Sequence, residues 1–139
     1  YPAYIQTALW SSIDENDRPM EDNYDQSDID DLTAIRLQRE LDQFFKLLEI
    51  TKVLDPTLSH AEIYNAIANN CDPFISLYDI VTEFTDDENI SHDFWLMRNG
   101  HGAGFWDGDY GIYGDQLTAI AKTFLRIDLY VGDDGKIYC

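Results

Sequence analysis

The chain has 139 residues, enough to bury a real core as one domain, and its 45% hydrophobic and 14% aromatic content excludes a disordered chain. Twenty-seven acids against nine bases leave a net charge of −18, which makes nucleic acid and anionic membranes poor partners and a basic protein surface a good one. No run of 18 apolar residues offers a membrane span, no signal-peptide pattern opens the sequence, and two cysteines make no disulfide framework, so the expected setting is a reducing cytoplasm.

In chain order, residues 3–13 (AYIQTALWSSI) space Ile5, Leu9 and Ile13 at helical intervals, with Ala8 and Trp10 beside them, and predict a short helix. Composition then shifts sharply. From Asp14 to Asp31 stand nine acids (Asp14, Glu15, Asp17, Glu21, Asp22, Asp25, Asp28, Asp30 and Asp31) answered only by Arg18. Pro19 and Asn23 break regular structure there, so an exposed acidic loop is expected.

Ser27 is the expected cap of the longest helix, with Asp28, Asp30 and Asp31 in its first turn at the positive end of the dipole. Its apolar stripe is Ala34, Leu37, Leu41, Phe44, Phe45 and Leu48, and Asp55-Pro56 is the expected stop. Ser59-His60-Ala61-Glu62 reads as a capping box for a second helix that buries Ile63, Tyr64 and Ile67 and ends at Asn69-Asn70. After Asp72-Pro73, the residues Phe74, Leu77, Tyr78, Val81 and Phe84 share a helical face, although the run also suits a buried strand.

A second acidic cluster, Glu83, Asp86, Asp87, Glu88 and Asp93, leads into FWLMRNGHGAGFWD, residues 94–107. Two Phe-Trp pairs flank Asn99-Gly100 and further glycines, a pattern read as a β-hairpin. In its first arm Phe94, Leu96 and Arg98 would point one way and Trp95 and Met97 the other, giving an interior strand covered on both faces. A glycine- and tyrosine-rich loop follows from Asp107 to Gly114. A helix over 115–125 comes next, with Leu117, Ile120, Ala121 and Phe124 on one side. Ile127, Leu129 and Val131 then alternate with Asp128 and Tyr130 into Gly132-Asp133-Asp134-Gly135 and Lys136-Ile137-Tyr138, a second hairpin. The expected fold is α+β: a helical N-terminal two-thirds packed on a small antiparallel sheet of two C-terminal hairpins, without a linker that would divide residues 1–139.

The segment HDFWLMRNGHGAGFWDG together with LYVGDDGKIY resembles a family of small acidic proteins from tailed bacteriophages and mobile elements. The likeness is close over 91–138 and looser for YIQTALWSS. The family carries no established activity, so the resemblance implies a phage origin and the cytoplasm of a bacterial host, and it transfers no catalytic residue.

His92, His101, Asp107 and Asp109 lie within eighteen residues and a hairpin could gather them. Zinc sites need three or four ligands, though, and no HExxH, CxxC or calcium-loop pattern is present, so no metal or other cofactor is expected. The glycines at 100, 102 and 104 lead into a predicted strand, whereas a phosphate loop runs into a helix. Cys71 has no neighbouring His and is expected to be a buried structural cysteine.

The acidic clusters remain. Carboxylates set along one surface can imitate the phosphate row of DNA, with its one negative charge per about 1.7 Å of axis. The expected partner surface is Asp14, Glu15, Asp17, Glu21, Asp22, Asp25, Asp30, Asp31, Asp86, Asp87 and Glu88, with Tyr24, Tyr110 and Tyr113 as exposed anchors. The expected partner is a basic, DNA-binding host protein, met by a monomer or homodimer of this chain that touches neither nucleic acid nor membrane. The alternatives are a small metal-dependent enzyme around the Gly/His segment, or an acidic protein with no partner.

Overall fold

A computed structural model describes residues 1–101, 104–106 and 110–139, with Trp106 described by its backbone alone. The fold is α+β. Among the described residues, six α-helices, α1 (Pro2–Ser11), α2 (Asp31–Ile50), α3 (His60–Ala68), α4 (Leu77–Val81), α5 (Asp87–Arg98) and α6 (Gly114–Ala121), accompany four short strands, β1 (Lys52–Leu54), β2 (Phe74–Ser76), β3 (Tyr130–Val131) and β4 (Ile137–Tyr138). The strands form two antiparallel pairs, β1–β2 and β3–β4.

Helix α2 is the long helix expected from its stripe: Leu37, Leu41, Phe44 and Leu48 are buried, with Ala34 and Phe45 packed beside them. Its cap is Asp30, not Ser27. The Asp30 carboxylate accepts from the N–H groups of Leu32 and Thr33, while Ser27 lies in a separate 3-10 turn capped by Asp25. The backbone decides this: Asp30 N–H donates to Ile137 O at 2.9 Å, which pins the chain into β4 and lets the helix begin only at Asp31. The same contact, with the Ile29–Ile137 bridge, packs the helical N-terminal region against the C-terminal strand pair. The β3–β4 hairpin turns at the predicted place, where Gly135 takes φ +77° and Gly132 N–H donates to Lys136 O.

Residues 94–98 correct the strand expectation. They are the C-terminal part of α5, and the second arm, Gly104–Trp106, is a single 3-10 turn. Both faces of FWLMR are apolar because the helix is buried nearly all round: Ile90, Phe94, Trp95, Met97 and Arg98 are all covered. A helix enclosed on every side and a strand enclosed on both faces give the same apolar run. Asn99-Gly100 ends this helix where a hairpin turn was expected. Gly100 takes φ +72°, its N–H donates to Met97 O, and His101 N–H donates to Leu96 O, a Schellman closure.

The core is an aromatic stack assembled from five segments. Phe94 lies between Phe44, with ring centroids 4.0 Å apart and planes 7° from parallel, and Tyr4, with centroids 5.5 Å apart. Phe105 and Phe124 close on Phe44, and Trp95 meets Tyr4 edge-on. Each such pair adds about 0.5–1.5 kcal/mol beyond the area it buries.

Three further expectations are corrected. Helix α3 buries none of its residues: Tyr64 is 76% and Ile67 58% exposed, because α3 stands on the connection between β1 and β2, away from the stack. The run after Pro73 is both strand and helix, β2 passing directly into α4, and Phe84 is exposed beyond it. Cys71 is exposed, since it lies in the loop that returns from α3 to β2.

Candidate functional site

The expected partner surface is positioned by α1. Apolar Tyr4, Ile5, Ala8 and Leu9 seat this helix on α5, and Trp95 Nε1–H donates to Ser11 Oγ at 2.8 Å near its end. The chain then folds back beneath it. Ile13 bridges Pro19, Met20 N–H donates to Ser12 O, and the Met20 side chain is fully buried. That anchor holds the 3-10 turn Met20–Asp22 against α1 and leaves Glu21 and Asp22 exposed.

The start of α5 lies on the other flank of α1. Asp86 caps α5 through Asn89 N–H, and Asp87 and Glu88 occupy its first turn, where negative charge favours the helix dipole. Glu21 and Glu88, 67 places apart in sequence, line one cleft of about 370 Å³, together with Thr7, Trp10 and His92. Glu88 and Asp87 also border a second cleft of about 620 Å³, whose far wall is α2, with Asp42, Glu49 and a single base, Lys46. On the other side Glu21 shares a hollow with Tyr24 and Asp25. The two acidic clusters therefore join into a band that runs from Asp25 past Glu21, Glu88 and Asp87 to Asp42 and Glu49.

Placement sorts the expected residues. Glu15, Asp17, Glu21, Asp22, Asp25, Asp31, Asp86, Asp87 and Glu88 are exposed, and Asp30 is half-buried at its cap. Asp14 is the correction: it is 7% exposed, and its Oδ1 accepts from Asn16 N–H at 2.8 Å and Arg18 N–H at 3.1 Å. It holds the turn together and offers nothing to a partner. Ser27's hydroxyl and backbone N–H hold the Asp25 carboxyl below the ordinary carboxylate range. The Tyr78 hydroxyl donates to Asp87, and that bond raises the tyrosine's pKa.

The tyrosine anchors are also revised. Tyr110 and Tyr113 are buried, Tyr110 donating to the Asp93 carboxylate inside the core, and Tyr24 is half-buried. An exposed aromatic ring at the band is Trp10, 52% exposed and stacked on His92 with centroids 6.2 Å apart. Its signal in the sequence was positional: Trp10 falls outside the stripe that Ile5 and Leu9 define.

His92 and His101 line different clefts, His92 with Thr7 and Trp10, and His101 with Trp95 and Ser11. Asp107 and Asp109 lie outside the described residues. Among the described residues, no group of three or more His, Cys, Asp or Glu side chains could hold a metal ion, and no helix is long and apolar enough to cross a membrane. Among the described residues the buried charged side chains are Arg98, Asp14 and Asp93, so the other described carboxylates lie at or near the surface.

No family model, no curated protein and no solved structure matches the chain.

Proposed function

We propose that this chain inhibits or sequesters a basic, DNA-binding host protein by offering it a row of carboxylates in place of DNA phosphates, as a phage-borne protein acting in a bacterial cytoplasm would. The observation that carries the reading is the meeting of Glu21 and Glu88 across one cleft, which turns two acidic stretches into a continuous band. A band of this kind meets the basic groove of such a protein by complementary potential, with fast, salt-sensitive association. Because Lys46 is the single base bordering the α2 end of the band, little positive charge interrupts it there.

The test is displacement. Binding partners captured from bacterial lysate at low salt are assayed for release of a labelled DNA duplex on addition of the protein. The informative variant changes Glu15, Asp17, Glu21, Asp22 and Glu88 to their amides. Asp14 stays, since it holds a turn, and Asp86 stays, since it caps α5. The wild type is expected to release DNA and the variant to fail. A five-fold variant that displaces DNA as well as the wild type overturns the reading.

A further inference from the structure

The outward side of α2 differs in character from the acidic band. Its exposed charges are Asp31, Arg36, Arg39, Asp42, Lys46 and Glu49, which sum to zero on a chain of net charge −18. Arg36 pairs with Glu40 within the helix, and Asp42 accepts from Gln38 Nε2 at 2.9 Å. Among the described residues neither Arg39 nor Lys46 forms an ion pair. The same side carries apolar side chains at both ends: Leu32 is 76%, Ile35 63% and Ile50 63% exposed. A hollow of about 650 Å³ joins Ile35 to Arg39, Asp42 and Lys46, with the Gln38 and Gln43 amides in its lining. Arg39, Asp42, Lys46 and Glu49 follow one another at spacings of three, four and three residues, which sets them along one stripe of the helix. Their signs alternate, plus, minus, plus, minus. Reversed, the series reads minus, plus, minus, plus.

We infer that this face docks a second copy of the chain, α2 lying antiparallel on α2 about a two-fold axis level with Phe44. Each Arg39 then faces Glu49 of the second copy, and each Asp42 faces its Lys46. A two-fold contact uses the same patch on both subunits, so the patch must complement itself, and this series does so only when reversed. A parallel pairing would set like charge against like. The antiparallel one also brings Ile35 within about one turn of Ile50 of the second copy, so apolar ends meet apolar ends. Two chains of this charge repel wherever acids face acids, and the outward side of α2 is a place where they need not. Exposed ion pairs add little affinity, so the charges set direction and register while the apolar ends hold the contact. The inference goes beyond the proposed function and does not depend on it.

The test is sedimentation equilibrium of the full chain at about 0.15 M salt, from micromolar to near-millimolar protein. The wild type is expected to show a monomer–dimer equilibrium. Arg39→Glu sets like charges together twice across the axis and is expected to weaken the dimer about tenfold or more. Arg18→Glu makes the same change in net charge on an exposed base outside α2, and is expected to leave the dimer near the wild-type level. The double variant Arg39→Glu/Glu49→Arg exchanges the two signs and is expected to recover the dimer. Spin labels on Leu32→Cys or Gln43→Cys, each in a Cys71→Ser/Cys139→Ser background, then read the direction. In the antiparallel register the two labels at 43 lie close together, while those at 32 are about 36 Å apart along the axis. A chain that stays monomeric throughout overturns the inference, as does a dimer that Arg39→Glu leaves intact. Failure of the double variant to recover, or a short separation at 32, overturns it equally.

Discussion

Arg98 shows how a single charged residue is made to belong in a core. Its side chain is 1% exposed, yet it donates to Glu40 Oε2 at 2.7 Å, to Tyr4 Oη at 3.0 Å and, through Nε and Nη2, to Leu125 O. Its guanidinium also lies over Phe94 and Phe124. It thereby ties α1, α2 and α5 to the segment after α6. Removing it leaves Glu40 paired with Arg36 alone and takes the guanidinium from between Tyr4, Phe94 and Phe124, so Arg98→Ala is expected to cost about 1.5–3 kcal/mol in urea unfolding. Arg98→Lys is expected to recover only part of this, because an ammonium cannot reach three acceptors in the same plane. Tyr4 beside it has its pKa pushed up to about 12, chiefly by burial, with Arg98 pulling the other way. A raised value means the folded state favours the neutral phenol. This stabilisation is complete below the ordinary value near 10 and is lost as pH rises toward about 12, a loss of about 2–3 kcal/mol. Denaturation midpoints taken between pH 9 and pH 12 are expected to fall less steeply in Tyr4→Phe than in the wild type.

At the scale of elements, two glycines separate backbone conformation from packing. Gly100 closes α5 at φ +72°, but a methyl group there would meet nothing within 4 Å. Gly114 begins α6 at an ordinary φ of −56°, yet a Cβ would lie 2.5 Å from Phe105 O. Gly100→Ala is therefore expected to cost about 1 kcal/mol, the price of the left-handed conformation alone. Gly114→Ala is expected to cost more, because the turn that holds buried Phe105 must shift, and chemical denaturation of the two variants checks the order. Helix α3 makes the opposite point. Ser59 caps it through Glu62 N–H, but nine residues without a buried face form a marginal helix in water. Its amides are expected to exchange with solvent orders of magnitude faster than those of α2 and α5, as measured by native-state hydrogen exchange.

For the whole molecule the governing quantity is the net charge of −18, most of it on exposed carboxylates. Self-repulsion of that surface is screened within about 10 Å at 0.1 M salt. Raising salt from 50 to 500 mM is therefore expected to raise the denaturation midpoint while weakening any basic partner, two opposite slopes from one cause. Neutralising Glu15, Asp17 and Asp22 is expected to leave stability unchanged or slightly raised and to flatten both salt slopes. A loss of stability in that triple variant would mean that these carboxylates hold the turn, as Asp14 does.

Local chemistry was enough to make α2 legible in the sequence, because its stripe has a buried and a solvated side. The same holds for the β3–β4 hairpin, whose Gly132–Gly135 turn admits few backbone paths, and for the surplus of surface carboxylate. The state of residues 94–98 was decided only by the tertiary structure. Segments packed around the C-terminal part of α5 cover it nearly all round, and a run apolar on both alternating faces has no period to read. The helix signals lay at its ends, Asp86 to Glu88 before it and Asn99-Gly100 after it, and the glycines were read as a hairpin turn. The candidate site was half legible. Its carboxylates stood out by composition, but which of them face solvent depends on backbone contacts, and those contacts take Asp14 out of the set. The pairing of Glu21 with Glu88, and of Trp10 with His92, arises because α1 packs along α5, a contact between residues more than sixty places apart that no local pattern encodes.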